Sequence, residues 1–219
     1  MRRPDISEAL RCLGAARSGP ELRQQAEQLA DELSAALQPR SVWAVWPLVR
    51  TGNRFRLEGT GVTLSGSTAA RMLDGCETAA LLACTLGARF DAMLRSAQAR
   101  DMAKAVLLDA LGSSFVEAGC DGAEEEISAR FPALHRTDRF SPGYGDLPLD
   151  LQPALCAALD AQRRLGLTVT DSLLLNPVKS VTAVIGLSPT PQPARIRGCG
   201  YCNFRENCQF RKEGTTCGR

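Results

Sequence analysis

The chain has 219 residues, near-balanced charge (26 Lys and Arg against 24 Asp and Glu), one His and nine Cys. On a soft prior of ~150 residues per domain this is one large domain or a domain with a small appendage. A chain of this size buries roughly 70% of its unfolded surface without needing disulfides. A net charge of +2 gives no reason to expect nucleic acid as a partner, and a single His135 excludes any site built on two imidazoles.

The N-terminus, MRRPDISEAL, lacks an apolar h-region, so it does not read as a signal peptide. The most apolar uncharged run, Thr78 to Ala88, is short of the ~20 residues a membrane span needs. The expectation is a cytoplasmic protein with no membrane contact, in a compartment where disulfides are rare. Cys12, Cys76, Cys84, Cys120 and Cys156 then read as small buried hydrophobes.

After Gly19-Pro20, Leu22, Ala26, Leu29, Leu33 and Leu37 recur at helical spacing until Pro39 stops the pattern. Val42–Val49 is a β-rich apolar run in which Pro47 marks a sheet edge or a strand end. Short strands are expected at Phe55–Glu58 and Val62–Leu64, and Ala79–Leu86 is apolar on all sides, as a buried strand would be. From Asp101 to about Arg130 the pattern is helical, with Ala103, Val106, Leu107, Ala110, Leu111, Ser114 and Ala118 forming a small-residue face. Glu117 falls almost in line with that face; it is either a carboxylate at the rim of the stripe or an acidic group aimed into a cleft.

Residues 131–150 are rich in Pro and Gly and read as a loop. One helix is expected from Pro153 to Leu165, ended by Gly166, with strands following at Val169, Leu173–Leu175 and Val181–Leu187. Strands and helices without a regular βαβ rhythm indicate an α+β fold. Pro189, Pro191 and Pro193 form a stiff hinge, dividing residues 1–190 from a cysteine-rich tail at 191–219.

No GxGxxG, GxxxxGK[ST] or GxSxG pattern occurs, so nucleotide-fold and common hydrolase readings lack support. The loop Arg139-Phe-Ser-Pro-Gly-Tyr144-Gly-Asp146-Leu-Pro148 is more informative. A guanidinium ahead of a Pro142-Gly143 turn offers a fork to a carboxylate. Gly143 and Gly145 allow close backbone approach, and Tyr144 carries an aromatic face and a hydroxyl. The alternative is an ordinary surface turn.

In the tail, Cys199-x2-Cys202-x5-Cys208-x8-Cys217 places four thiols in one short segment. Residues 195–219 hold six Lys or Arg and two Glu, a charge of +4, leaving −2 in the remainder. Nearby arginines favour thiolates, and the pattern reads as metal-binding. Zn²⁺ in an all-thiolate site and a [4Fe–4S] cluster both take four Cys; the spacing matches neither ferredoxin pattern.

RFSPGYGDLP resembles the Arg-x-x-Pro-Gly-Tyr motif of the reactivation (activation) domain of cobalamin-dependent methionine synthase. About thirty residues on, LTVTDSLLLNPVKSVTAVIGLSP (Leu167–Pro189) is similar to that domain's second signature. The NPVKSVTAVIGL wording is closest to standalone members of the family, as is ALRCLGA (Ala9–Ala15), and the helix around Asp109–Glu117 also corresponds. The resemblance covers roughly residues 5–190.

The resemblance implies a twisted antiparallel sheet with flanking helices and a protein that binds S-adenosylmethionine and offers its methyl group to a cobalamin carried by a partner. That partner would be a corrinoid-carrying methionine synthase or a related methyltransferase. With one electron from a donor protein, the methyl group would restore methylcobalamin from cob(II)alamin, which is a rationale for an iron–sulfur cluster in the tail. By resemblance, Tyr144 lies near the cobalamin face and is the expected catalytic residue. Arg139, Pro142, Gly143, Tyr144, Glu117 and Lys179 form the expected cofactor-binding set, with Arg139 on the methionyl carboxylate and Glu117 on the ligand's cationic end. Lys179 belongs to the standalone family's SKS-like element; it either pairs with a phosphate or carboxylate of the corrinoid or caps a strand at the surface. In the fused enzymes a ligand-contacting aromatic pair stands where this chain has Ile185 and Gly186, and the N-terminal acidic segment that supplies a ligand carboxylate has no counterpart. Two other functions therefore stay open: an electron-transfer accessory that has lost S-adenosylmethionine, and a zinc-stabilised interaction module.

Overall fold

The computed structural model describes residues 2–192, 206, 209–212 and 214. A six-stranded, wholly antiparallel sheet in the order β3-β2-β1-β4-β8-β5 forms its middle layer. The strands are β1 (Arg40–Thr51), β2 (Arg54–Leu57), β3 (Thr63–Ser65), β4 (Thr78–Thr85), β5 (His135–Arg136) and β8 (Ser180–Ser188). A small hairpin, β6 (Thr168–Val169) with β7 (Leu175–Asn176), stands apart from it. This is the α+β architecture expected from the sequence.

Alternation along the strands divides the core in two. Ala80, Leu82 and Cys84 of β4, with Ala183 and Ile185 of β8, pack under α1 (Ile6–Cys12), α2 (Pro20–Ala36), α4 (Ala88–Arg100) and α5 (Met102–Arg130). Ala79, Leu81, Ala83 and Val184 face the other way, toward α3 (Ser67–Met72), α6 (Gln152–Ala158) and α7 (Ala161–Leu165). Covered on both faces, β4 has no solvent side, which is why its sequence is apolar without alternation.

Pro47 sits where β1 changes partners. Arg40 to Pro47 pair with β4, and Leu48 to Thr51 pair with β2. The Pro47 carbonyl accepts from the Glu58 N–H (3.0 Å), so its missing N–H points to the side where β2 has just ended.

The 29-residue α5 begins at Asp101, whose carboxylate accepts from the Lys104 N–H (3.0 Å) and whose own N–H closes α4. Gly119 lets this helix lie close on the sheet: a Cβ there would come within 2.5 Å of Pro39 and 2.7 Å of the Cys84 sulfur.

Four local expectations are corrected. The span Pro153–Leu165 is two helices, separated at Asp160, which adopts a left-handed φ of 52°. Leu173, at φ 64°, turns the chain instead of extending it, so the strand there is confined to Leu175–Asn176. Ala103 is exposed because α5 starts before the core does, its buried residues beginning at Ala105. Val106 is exposed because it falls on the solvent side of the turn that buries Ala105, Leu107 and Leu108. Of the scattered cysteines, Cys84, Cys120 and Cys156 are buried, but Cys76 is half-buried and Cys12 is exposed. Among the described residues no helix is long and apolar enough to cross a membrane.

Candidate functional site

Phe140 exchanges both backbone hydrogen bonds with Val184 (3.0 and 2.8 Å), extending the sheet beyond β5 by one residue. Strand alternation then sends Phe140 into the α6–α7 side of the core and Arg139 the opposite way, against α5. After Pro142 the chain makes a tight excursion. Tyr144 N–H donates to Ser141 O (3.1 Å), and Leu147 N–H donates to Tyr144 O (3.0 Å). Leu147 then re-enters the core. Tyr144 is left 52% exposed at the apex.

The loop is pinned by Asp146. Its carboxylate accepts from the N–H groups of Ser67 (2.6 Å) and Thr68 (2.8 Å), capping α3 from 78 residues away, and its own N–H donates to the Thr68 hydroxyl (3.3 Å). Bonds from Thr68 and Ser67 hold the Asp146 carboxyl well below the usual carboxylate range. Gly145, at φ 57°, passes so close to Thr68 that a Cβ would lie 2.3 Å from its hydroxyl. The glycines expected to admit a ligand thus include one that admits the protein's own side chain.

The Arg139 side chain is 10% exposed, and both of its terminal nitrogens are engaged. Nη1 binds Asp121 (2.8 Å) and Glu124 (2.6 Å), and Nη2 binds Glu117. The three carboxylates stand at positions i, i+4 and i+7 of α5, on one helix face. Glu124, with its side chain 3% exposed, also binds Arg136, which in turn donates to the Ser128 hydroxyl (3.1 Å). Burial pulls the Arg139 pKa down, but Glu117 and Glu124 outweigh it and raise it above its ordinary value. Beneath the cluster, contact with Cys84 and burial push the Cys120 thiol up.

Where α1, α5 and the start of β8 meet there is a concavity of about 400 Å³. Glu8, Cys12, Ser113, Glu117, Lys179 and Ser180 supply its polar lining. Lys179 Nζ donates to Asp109 Oδ2 (2.9 Å) and to the Ser113 hydroxyl (2.8 Å).

The expected site residues therefore divide. Glu117 and Lys179 share the concavity, Glu117 and Arg139 share the ion cluster, and Pro142, Gly143 and Tyr144 form the loop. That loop is anchored in the core on the far side of the sheet from α5. Ile185 is fully buried, and Gly186 has no room for a side chain, since a Cβ would lie 2.6 Å from the Cys76 sulfur. Asp121, Glu124, Arg136, Glu8 and Asp146 were not anticipated. The i, i+4, i+7 spacing of Glu117, Asp121 and Glu124 is visible in the sequence, but the arginine that joins them is not. Cys199, Cys202, Cys208 and Cys217 lie outside the described residues; among the described ones no three His, Cys, Asp or Glu side chains are grouped to hold a metal.

Neither a protein-family profile nor a curated protein matches the sequence. The fold does match. The chain superposes on the crystal structure of the MetH reactivation domain bound to AdoHcy with a TM-score of 0.65 at 16% identity, covering 92% of this chain and 74% of that one.

Proposed function

We propose that this protein reactivates a corrinoid-dependent methyltransferase, methionine synthase being the expected partner, by binding S-adenosylmethionine beside the partner's cobalamin. The reading is carried by one coincidence. The fold is that of a reactivation domain crystallised with AdoHcy, and the segment that resembles that family's Arg-x-x-Pro-Gly-Tyr motif is the loop that leaves Tyr144 exposed at its apex. When bound, S-adenosylmethionine supplies an already activated sulfonium methyl, so the chain needs little acid–base machinery. Its own contribution is positioning and exclusion of water, which can account for a large part of such a barrier. A rigid loop suits that role, since Asp146 fixes its end while Phe140 and Leu147 anchor its two flanks.

Calorimetric titration of the full-length protein with S-adenosylmethionine tests the reading directly. Saturable binding is expected. So is recovery of methyl transfer by an inactivated cob(II)alamin enzyme when the protein, S-adenosylmethionine and a reductant are added together. Absence of binding would reject the reading and leave an accessory role without this ligand.

Within the same proposal, residues 191–219 form a separate metal-binding tail in which Cys199, Cys202, Cys208 and Cys217 are the ligands, and the protein works in the cytoplasm. Anaerobic purification followed by iron, acid-labile sulfide and zinc analysis distinguishes a cluster from a zinc site.

A further inference from the structure

We infer that the concavity between α1, α5 and β8 receives the amino-acid end of the ligand, with Lys179, not Arg139, holding the carboxylate and Glu117 and Glu8 facing the ammonium. The inference rests on the proposed binding of S-adenosylmethionine and changes which residues recognise it.

Placement and charge decide against Arg139, which is not among the residues lining the concavity. Both of its terminal nitrogens are engaged, by Asp121 and Glu124 on one and Glu117 on the other. Arg139 and Arg136 together oppose three carboxylates, so the cluster carries a net negative charge. A ligand carboxylate arriving there would meet like charge.

Lys179, unlike Arg139, lines the concavity, and it keeps a donor for a ligand there. An ammonium has three N–H donors, and Asp109 and Ser113 take two of them. The third is uncommitted among the described residues, in a side chain only 15% exposed that lines the concavity. The same two partners fix the position of Nζ, so little rotamer freedom remains to be lost on binding.

The other walls suit a cation. Glu117 binds Arg139 through Oε2, leaving Oε1 without a partner among the described residues. On α1, the Glu8 carboxylate is held among those residues by a 3.6 Å contact to Arg11. One free donor beside two carboxylates matches an α-amino acid, with Ala110, Val116, Val178 and Val181 as apolar lining for its side chain. A phosphate would meet Glu8 and Glu117 as like charges, so the arrangement favours a zwitterion over a phosphorylated ligand.

The test compares two ligands, S-adenosylmethionine and 5′-methylthioadenosine, which lacks the amino-acid group. Each is titrated calorimetrically into the full-length wild type, Lys179→Gln, Lys179→Arg and Arg139→Lys. Loss of a charge-assisted hydrogen bond predicts that Lys179→Gln weakens S-adenosylmethionine by roughly 10- to 100-fold and leaves methylthioadenosine unchanged. Lys179→Arg should restore part of the preference, and Arg139→Lys should keep it. Thermal unfolding confirms that each variant is folded. If the wild type binds S-adenosylmethionine but Lys179→Gln keeps the wild-type preference, or Arg139→Lys loses it, the assignment to Lys179 is overturned while the proposed function stands. If the wild type does not bind S-adenosylmethionine, both are overturned.

Discussion

Arg139→Ala should be a stability mutant before it is a binding mutant. The substitution removes one guanidinium from three carboxylates of unequal exposure. Glu117 and Asp121, with side chains 42% and 40% exposed, can turn to water, and each lost contact there costs about 0.2–1 kcal/mol. Glu124 cannot, because its side chain is 3% exposed. It keeps Arg136 but loses its bond to Nη1, and a buried charged group left partly unsatisfied costs about 1–3 kcal/mol. Together these give a loss of roughly 1.4–5 kcal/mol, or roughly 3–20 °C in melting temperature for a chain of this size. Urea unfolding at neutral pH, followed by circular dichroism, measures the change. A double-mutant cycle with Glu124→Gln locates it: because the two groups touch, the double variant should lose less than the singles added together. An Arg139→Ala change below about 0.5 kcal/mol, or an additive cycle, would refute the argument. If the cluster behaves as described, weaker ligand binding by Arg139→Ala says nothing about contact between Arg139 and ligand.

Gly145→Ala should destabilise by at least ~1–2 kcal/mol, because Ala would be forced into a left-handed conformation with its Cβ 2.3 Å from the Thr68 hydroxyl; urea unfolding at the wild-type midpoint would contradict this. Asp146 has its folded carboxyl depressed, so its contribution is complete above the unfolded value of ~3.9 and is lost as pH falls toward the folded value. The stability gap between wild type and Asp146→Asn, measured by unfolding across pH, should therefore be widest near neutrality and shrink below about pH 4, and a gap that stays constant on acidification would rule out the role. Among the cysteines of the described body, native alkylation read by peptide mass spectrometry should modify exposed Cys12 well ahead of buried Cys84, Cys120 and Cys156. Burial pushes the Cys156 thiol up to about 11, so equal labelling of Cys156 and Cys12 would show that the buried thiols are reached by frequent opening.

What could be read in advance was what short-range physics controls. Pro20 opening a helix whose Leu22, Ala26, Leu29 and Leu33 share one face, the long helical pattern from Asp101, and the unbroken apolar run of β4 each express a preference local to a few residues. The break at Asp160 was not readable, because helical periodicity continues through it and only the need to keep both α6 and α7 on the sheet bends the chain. Val106 had the spacing of a core residue, yet it is exposed while its neighbours Ala105, Leu107 and Leu108 are buried, because the packing of α5 decides which face of the helix meets the core.

The site followed the same division. Sequence by itself singled out the RFSPGYGDLP loop, Glu117 and Lys179, because residue type, spacing and motif are local facts. Only the tertiary structure decided what those groups do to one another. It joined Asp146 to a helix 78 residues away, and it used Arg139 to neutralise carboxylates that would otherwise repel. It also brought Lys179 and Glu117 to the walls of one concavity. Whether a charged side chain is free for a ligand depends on its neighbours in space, and neighbours 15 to 79 residues apart leave no pattern that a single chain's spacing reveals.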